Sequence, residues 1–303
     1  MLTLFTMPKP FHGHIGVIQA NALRSWTQLK PKPEVLILGN EAGTKEICRE
    51  LDLRHLPDVE ANEFGSPLMS SIFEIGRTQA TNPFLCYINA DIILGSSFQA
   101  GIDKALQIIN GGPFLLIGRR WNVFLSHLLD FDREDWQQQF ADYARTHGYL
   151  ESAGAIDYFV FRREINWEYP PFAIGRGAYD GWFLCAASSR KIPIIDASSL
   201  ITVYHQQHDS APLRSSKMRL TDKEWRGNQK LRGSFARQYN IFDSHLLLTT
   251  SGLEPAPRAR KVSAHFLRFR MCASYYVHAL YPYSYPVLAG YRAARSFIEV
   301  FNR

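Results

Sequence analysis

The sequence predicts an α/β fold with a mostly parallel central sheet. Apolar runs of strand length, such as residues 2–6, 34–39 and 84–88, alternate with segments whose apolar residues repeat at helical spacing. This alternation is typical of βαβ units, because parallel strands are joined by long crossover connections that usually contain a helix. A chain of 303 residues that is 46% hydrophobic is also long enough for one large domain and an appendage.

Local signals define the individual elements. The first helix ends before Lys30-Pro31-Lys32-Pro33, because proline cannot continue a helix. Asp132 is expected to cap a later helix by accepting hydrogen bonds from the free amides of its first turn. The predicted strands are residues 2–6, 34–39, 84–88, 113–118, 156–161 and 200–204. The predicted helices are residues 17–29, 43–51, 68–80, 94–109, 134–145 and 181–189.

The chain is predicted to consist of a main domain and a tail. Residues 1–248 form the main domain, and residues 249–257, rich in Ser, Gly and Pro, form a linker. Residues 258–303 form a basic, aromatic, helical tail. Apolar residues at helical spacing beside a basic face fit two interpretations of this tail. It either packs on the main domain with its basic side in solvent, or lies in a membrane interface.

The net charge of +6 is concentrated in the tail. Residues 258–303 contain eight lysines and arginines against Glu299 alone, so the tail carries +7 and residues 1–257 carry −1. A nearly neutral body argues against a general nucleic-acid-binding surface. The basic tail, in contrast, is suited to an anionic partner.

The cysteine spacing and the apolar segments indicate the cellular compartment of the protein. The four cysteines lie far apart without a CxxC pair, so neither a disulfide framework nor a zinc ribbon is predicted. The N-terminus lacks the features of an export signal, and no apolar run reaches the ~18 residues of a membrane-spanning helix. We expect a cytoplasmic protein, placed at the inner face of a membrane if the tail binds lipid.

Asp91 lies in an unusually apolar stretch. Residues 86–94 read as an apolar run that is interrupted by Asn89-Ala90-Asp91. Burial of an unpaired carboxylate costs far more than the surrounding burial returns, so Asp91 needs a partner. A divalent cation at the carboxyl end of a strand is the expected partner. The alternative is that Asp91 caps the helix predicted to follow.

The order of features over about residues 1–210 resembles the GT-A nucleotide-sugar glycosyltransferases. Asn89-Ala90-Asp91 looks like the family's metal-binding Asp-X-Asp motif, with asparagine in place of the first aspartate. Arg77 lies where such enzymes carry an arginine on the helix that faces the nucleotide. Ala178-Tyr179-Asp180 resembles the acidic motif that opens the acceptor-side helix, and His205 matches the late histidine of the metal shell.

The resemblance implies a role for each of these residues. Asp91 anchors Mn²⁺ or Mg²⁺, which neutralises the departing nucleoside diphosphate. His205 as a second ligand favours Mn²⁺, because imidazole is a softer donor than carboxylate, although His208 competes for this role. Arg77 donates charge-assisted hydrogen bonds to base or phosphate. Asp180 accepts the proton of the acceptor hydroxyl in an inverting displacement.

Each assignment has a simpler rival. Asp180 is also explained as a first-turn acid that is stabilised by the helix dipole. A histidine bonded to backbone explains His205 or His208 without any metal. Asn89 removes one formal charge from the motif, so the metal is expected to bind more weakly. This weaker binding is the feature that favours the alternative of a protein that binds nucleotide or carbohydrate without turnover. With the family resemblance, the nucleotide-binding half covers about residues 1–118 and the acceptor half about 119–248.

Further candidates occur around the predicted strand ends, where ligands gather in open α/β sheets. Arg119 and Arg120 can clamp a diphosphate, since guanidinium groups match phosphate geometry, and a solvated loop is the alternative. On the acceptor side, Asp157 is predicted to orient a sugar hydroxyl or to satisfy a buried arginine such as Arg162. Trp182 is predicted to stack on an acceptor ring or to belong to the core. The other donor-side candidates are Thr6, Asn40, Glu41, Asn89 and Gly154, the last in a small-residue loop that lets backbone approach the sugar.

The predicted function is therefore metal-assisted transfer of a hexosyl or pentosyl group. The donor is a nucleotide-diphosphate sugar, and the acceptor is a sugar, glycan or lipid-linked hydroxyl. One rival is a sugar-1-phosphate nucleotidyltransferase, although the Gly-rich basic loop expected after its first strand is missing from residues 7–14. A non-catalytic nucleotide- or carbohydrate-binding protein and a membrane-surface adaptor acting through the tail are the others.

Overall fold

The structure is a computed structural model of the chain that describes residues 2–109, 111–208, 221–234 and 237–279. The last part of the predicted tail, residues 280–303, lies outside the described residues. The strands are β1 (Leu2–Thr6), β2 (Glu34–Leu38), β3 (Arg54–Leu56), β4 (Phe84–Ile88), β5 (Ile92–Leu94), β6 (Leu115–Ile117), β7 (Arg120–Val123), β8 (Tyr149–Leu150), β9 (Tyr158–Arg162), β10 (Ile194–Asp196), β11 (Val203–Gln206), β12 (Leu246–Leu248) and β13 (Leu253–Pro255). The α-helices are α1 (Gly13–Thr27), α2 (Thr44–Leu51), α3 (Met69–Gln79), α4 (Ser96–Ile109), α5 (Trp136–His147), α6 (Tyr179–Ser189), α7 (Lys223–Arg232) and α8 (Arg258–Ala279).

The predicted α/β class with a mostly parallel sheet is confirmed. The main sheet has the strand order β13-β12-β10-β6-β9-β4-β1-β2-β3. Strand β1 lies between β2 and β4 and is parallel to both, so the residues that follow these three strands gather at one edge. Strand β9 is antiparallel to β4 and pairs Tyr158 with Ile88, which brings Asp157 next to Asn89.

A second, four-stranded sheet in the order β5-β11-β7-β8 extends from this edge. Strand β11 pairs antiparallel with β5 and parallel with β7, so that His205 lies opposite Ile92 on one side and Asn122 on the other. The pairing in this sheet therefore places His205 beside Ile92, the residue that follows Asp91.

Two hydrophobic clusters cover the two faces of the main sheet. Trp26 and Phe98 belong to the cluster that includes side chains of α1 and α4. Phe73 and Phe183 belong to the other, with α3 and α6. Burial on both sides explains why the central strands read as continuous apolar runs.

The structure corrects several element boundaries. Residues 92–94 form β5 and the next helix begins at Ser96, so the alternative in which Asp91 caps that helix is wrong. Helix α5 begins at Trp136, with Asp135 rather than Asp132 at its N-cap. Residues 253–255, inside the segment predicted as a linker, form β13 and extend the main sheet.

Helix α8 packs on the main domain through two arginines. Arg260 donates to Asp196 Oδ2 at 2.6 Å and to Ser244 Oγ at 2.9 Å, and Arg268 donates to Asp243 Oδ1 at 2.6 Å. Each guanidinium also lies over an aromatic ring. Part of the predicted basic face is therefore used for docking. Across the described ranges, no helix combines the length and the hydropathy that crossing a membrane requires.

Candidate functional site

A cleft of about 410 Å³ opens at the carboxyl edge of β1, β2 and β4. Its position is where ligands bind in open α/β sheets, outside the carboxyl ends of the strands. The side chains that line it include Met7, Lys9, Glu41, Tyr87, Asn89, Asp91, Arg176, Tyr179 and His208. The predicted residues Glu41, Asn89 and Asp91 thus share one cleft.

Asp91 and two histidines form a compact cluster at this cleft. Asp91 Oδ2 lies 3.0 Å from His208 Nε2 and 3.5 Å from His205 Nε2. One donor atom from each of the three residues falls within 4.8 Å of the others, a spacing that can hold a metal ion. One carboxylate and two imidazoles form a mixed oxygen and nitrogen donor set, which suits Mn²⁺ better than Mg²⁺.

The other oxygen of Asp91 carries the strongest indication of a missing partner. Asp91 Oδ1 is buried and has no hydrogen-bond partner among the described residues. A buried carboxylate oxygen without a donor or cation is costly, and native structures rarely leave one. A cation beside Oδ1 would satisfy it.

Backbone geometry fixes the position of the cluster. The amide of Gln206 donates to the carbonyl of Asp91 at 3.2 Å, and its side-chain Nε2 donates to the same carbonyl at 3.1 Å. Gln206 Nε2 also donates to Ile18 O at 2.6 Å, which connects the site to α1. Because Gln206 lies between the two histidines in sequence, these bonds hold both imidazoles near Asp91.

The electrostatics keep Asp91 ionised. Burial alone would raise its pKa, but the charges and hydrogen bonds of His205 and His208 together hold the pKa of Asp91 well below its usual range. An ionised carboxylate is the form that binds a cation.

Asn89 and Asp157 form a second hydrogen-bonded group beside the cluster. Asn89 Nδ2 donates to Asp157 Oδ1 at 2.7 Å, and Arg120 Nη1 donates to Asp157 Oδ2 at 2.6 Å. A carboxylate at position 89 would face that of Asp157 at this distance, which explains why asparagine is favoured there. Asp157 thus pairs with a partly buried arginine, but with Arg120 rather than Arg162, which pairs with Glu164.

Asp180 lies in the first turn of α6, directly after the cleft residue Tyr179. Ala178, which precedes the helix, has a φ of 74°, a conformation that is rare for a residue with a Cβ and that fixes the entry to the helix. Burial, followed by the neighbouring charge of Asp157, raises the pKa of Asp180 well above its usual range, although Arg120 opposes this. A plain helix-terminal acid has a lowered pKa, so the dipole alone does not describe this residue.

The remaining predicted residues are distributed less evenly. Thr6 is buried at the end of β1, and its Oγ1 has no hydrogen-bond partner in the part of the chain that is described. Arg119 donates to the carbonyl of Glu151, which ties it to the loop that contains the exposed Gly154. Asn40 is exposed beside the cleft residue Glu41.

Two predicted residues lie elsewhere. Arg77 pairs with Glu74 on its own helix at 2.6 Å and lines a separate cavity of about 150 Å³. Trp182 packs against the rings of Tyr169 and Phe172, with centroids 4.8 and 5.7 Å away, as expected for the core alternative.

Three further charged or polar residues of the cleft have no strong signal in the sequence. Lys9, Tyr87 and Arg176 line the cleft, and Arg176 is held by Glu224 of α7 at 2.8 Å. Arg176 lies in Gly175-Arg176-Gly177, directly before the candidate acidic motif Ala178-Tyr179-Asp180. An arginine between two glycines at this position is the sequence feature that points to a cleft residue.

Several solved structures are similar to this chain at low identity. Glucosyl-3-phosphoglycerate synthase from Mycobacterium tuberculosis, in complex with Mg²⁺ and UDP, is 12% identical over 77% of this chain and 79% of that chain, with a TM-score of 0.45. The mannosyltransferase PcManGT from Pyrobaculum calidifontis, in complex with GDP-Man and Mn²⁺, is 13% identical over 99% of this chain and 80% of that chain, with a TM-score of 0.45. S. aureus TarS 1-349, in complex with UDP-GlcNAc, is 13% identical over 78% of this chain and 66% of that chain, with a TM-score of 0.47. No protein-family model and no curated protein matches the chain.

Proposed function

We propose that the protein is a metal-dependent glycosyltransferase that uses a nucleotide-diphosphate sugar. The observation that carries this proposal is the buried Asp91 Oδ1 without a partner, in a carboxylate that two imidazoles approach within 3.0 and 3.5 Å. Asp91, His205 and His208 would hold Mn²⁺ or Mg²⁺, with Mn²⁺ preferred. When bound, the metal supplies Lewis-acid stabilisation of the charge that develops on the leaving diphosphate.

The other candidate residues have separate roles in this proposal. Asp157, held by Asn89 and Arg120, is proposed to accept a hydrogen bond from a hydroxyl of the acceptor. Arg120 contributes positive charge beside the diphosphate. Thr6 and Glu41, after β1 and β2, are assigned to the nucleoside, whose ribose and base offer hydrogen-bond groups. Arg119, Asn40 and Gly154 remain further candidates for donor binding.

Asp180 is proposed as the general base of an inverting displacement. Its carboxylate takes the proton of the acceptor hydroxyl as that oxygen attacks the anomeric carbon, and the sugar–phosphate bond breaks on the opposite side. The raised pKa of Asp180 supports this role, because an effective base has a pKa closer to the working pH than an ordinary aspartate. A hexosyl or pentosyl donor and a sugar, glycan or lipid-linked acceptor complete the proposal.

The direct test is a panel of nucleotide sugars incubated with the full-length protein. We expect release of nucleoside diphosphate from one donor class, faster with Mn²⁺ than with Mg²⁺ and abolished by a chelator. The measurement is coupled detection of the diphosphate, with a parallel arm of sugar phosphate plus nucleoside triphosphate. Pyrophosphate release in that arm would identify a nucleotidyltransferase instead, and donor binding without any turnover would identify a binding protein.

The exposed face of α8 supports a second, independent element of the proposal. Val262, Phe266 and Phe269 are 72%, 43% and 70% exposed and follow one another at helical spacing. Arg258 and Lys261 are exposed on the same helix. An apolar stripe beside cationic residues fits an anionic membrane surface. We therefore place the protein in the cytoplasm, with peripheral contact at the inner face of a membrane through residues 258–303.

Liposome flotation tests this contact. The full-length protein should float with vesicles that contain anionic lipid, and the triple variant Val262→Ser, Phe266→Ser, Phe269→Ser should bind at least about tenfold more weakly, because it loses most of the apolar area available for burial. The matched control is Phe64→Ser, which removes an exposed aromatic ring that is distant from α8 in the sequence. Equal flotation of the triple variant and the parent would exclude this face as the contact.

A further inference from the structure

A hydrogen-bond chain runs from the metal cluster to the loop after β8. His205 Nδ1 lies 3.0 Å from Asn122 Oδ1, and Asn122 Nδ2 donates to Glu151 Oε2. The other carboxylate oxygen of Glu151 accepts from the amide of Ser152 at 2.7 Å. Asn122 is only 3% exposed, so its side chain depends on these two partners rather than on solvent.

The chemistry of the chain determines where the protons lie. A carboxylate only accepts hydrogen bonds, so the amide NH₂ of Asn122 must face Glu151. The carbonyl oxygen of Asn122 must then face His205, and a carbonyl oxygen also only accepts. The proton shared with Asn122 therefore resides on His205 Nδ1. Although burial opposes it, hydrogen bonds from Ser152 and Asn122 lower the pKa of Glu151, which keeps it in the accepting form.

In the neutral form of His205, the form that binds a metal, the other nitrogen consequently carries a lone pair. In the neutral ring, only one nitrogen bears hydrogen, so Nε2 is an acceptor. His205 Nε2 lies 3.5 Å from Asp91 Oδ2, which is also an acceptor. Two acceptors at this distance repel each other unless a metal ion lies beside both or the ring takes up a second proton, which then donates to Asp91.

We propose that Asn122 is a positioning residue that fixes the tautomer of His205 and thereby reserves Nε2 for the metal ion. This inference rests on the proposed metal site, which it deepens. Partners of this kind orient ligating histidines and raise their basicity. Glu151 acts one step further out, by fixing the orientation of the Asn122 amide.

The strands make this orientation a property of the fold. Asn122 pairs with His205 between β7 and β11 and with Tyr149 between β7 and β8. Glu151 follows β8, and its amide donates to the carbonyl of Arg120 at 3.0 Å. The three side chains are therefore placed by backbone register in neighbouring strands, independently of any ligand.

The consequence of removing the carbonyl is specific. In Asn122→Ala, nothing holds the proton on Nδ1, and it can move to Nε2 and donate to Asp91 Oδ2. Metal must then displace that proton, so Mn²⁺ affinity should fall about 10- to 100-fold, the usual cost of losing such a partner. Glu151→Gln should have a smaller effect in the same direction, because an amide at 151 lets Asn122 adopt either orientation.

The test is nitrogen-15 NMR of the metal-free, full-length protein labelled at histidine, at a pH where imidazole is neutral. The His205 signals, assigned with His205→Gln, should report the Nδ1–H tautomer in the parent and a majority of Nε2–H in Asn122→Ala. Mn²⁺ titration by electron paramagnetic resonance should give the corresponding loss of affinity. The matched control is Gln207→Ala. It removes the hydrogen bond from Gln207, just after β11, to Tyr149 of β8, and it should change neither readout.

The two readouts separate the inference from the proposed function. A parent protein that shows the Nε2–H tautomer while binding Mn²⁺ overturns the role of Asn122 and leaves the metal site intact. A parent protein with the Nδ1–H tautomer but no Mn²⁺ binding overturns the proposed function. Glu151→Gln, at a partly exposed position, covers the case in which Asn122→Ala does not fold: an unchanged tautomer in this variant would also overturn the inference.

Discussion

Replacing Asp91 by asparagine should abolish Mn²⁺ binding and lower metal-dependent release of nucleoside diphosphate by at least about 10³-fold. Lewis-acid assistance is worth several kcal/mol, and each 1.4 kcal/mol is about a factor of ten in rate. Asp91 is the carboxylate of the Asp91–His205–His208 cluster, and the neutral amide removes its charge while keeping its size. The measurement is a single-turnover assay across a range of Mn²⁺ concentrations.

The control for this prediction is Asp58→Asn, which neutralises an exposed aspartate outside the cleft. It should leave Mn²⁺ affinity and turnover at parental values. A retained melting temperature would show that Asp91→Asn is folded. Turnover at the parental rate in an Asp91→Asn protein that binds no Mn²⁺ would contradict the metal-assisted mechanism, because the reaction would then proceed without the ion.

The parts of the fold that could be predicted are those determined by local pattern. Strands β1 and β4 have the predicted bounds, because each is a buried apolar run between clear turn signals. Helix α2 begins within one residue of its prediction, after Gly43, which has a φ of 85°. In both cases the information lies within a few residues of the element.

The second sheet was missed because its pattern is not local. Strand β5 has three residues and β7 has the polar sequence Arg-Trp-Asn-Val, so neither differs from a loop by periodicity. Their pairing with β11 depends on contacts about 80 to 110 positions away along the chain. The choice between His205 and His208 depends on the same pairing, and the structure brings both to Asp91.

Ion pairs between candidate residues are equally difficult to predict from local sequence. Asp157 and Arg120 were each predicted as site residues, but their ion pair follows from the register of β9 on β4 and the position of β7. The i,i+3 spacing of Glu74 and Arg77 was visible in the sequence, and it already offered a partner for Arg77 on its own helix. A residue with a satisfied local partner is a weaker candidate for a ligand contact.

The charges of the site explain why a cation would stabilise it and why Asp180 costs stability. Asp91 and Asp157 have cationic or imidazole partners, whereas the pKa of Asp180 is raised by burial first and by the charge of Asp157 second. An ionised Asp180 is therefore unfavourable in the folded protein. Active sites commonly retain such groups because function requires them.

Asp180→Asn should consequently stop transfer while making the protein more stable at neutral pH. Loss of a general base typically costs about 10²- to 10⁴-fold in rate, whereas donor binding should stay close to parental because the metal cluster is untouched. Since folding raises the pKa of Asp180, the protonated form is favoured in the native state, and its stabilising contribution is lost as the pH rises through the folded pKa. The asparagine variant lacks this loss, so its melting temperature should exceed the parent's at about pH 8 and match it near pH 4.

Three measurements on Asp180→Asn therefore identify its role together. Calorimetric titration with nucleotide sugar should give near-parental affinity, the transfer rate should fall, and the melting temperature should rise only at the higher pH. An ordinary aspartate has a pKa of about 4. In the parent, the acid limb of the rate profile should lie well above that pH, because the pKa of Asp180 is raised and the base must be ionised to act. Asp142→Asn, at an exposed position on α5, is the matched control and should change none of these. Parental transfer by Asp180→Asn would assign the base to another group, and an unchanged melting temperature at both pH values would show that Asp180 is not held in an unfavourable ionised form.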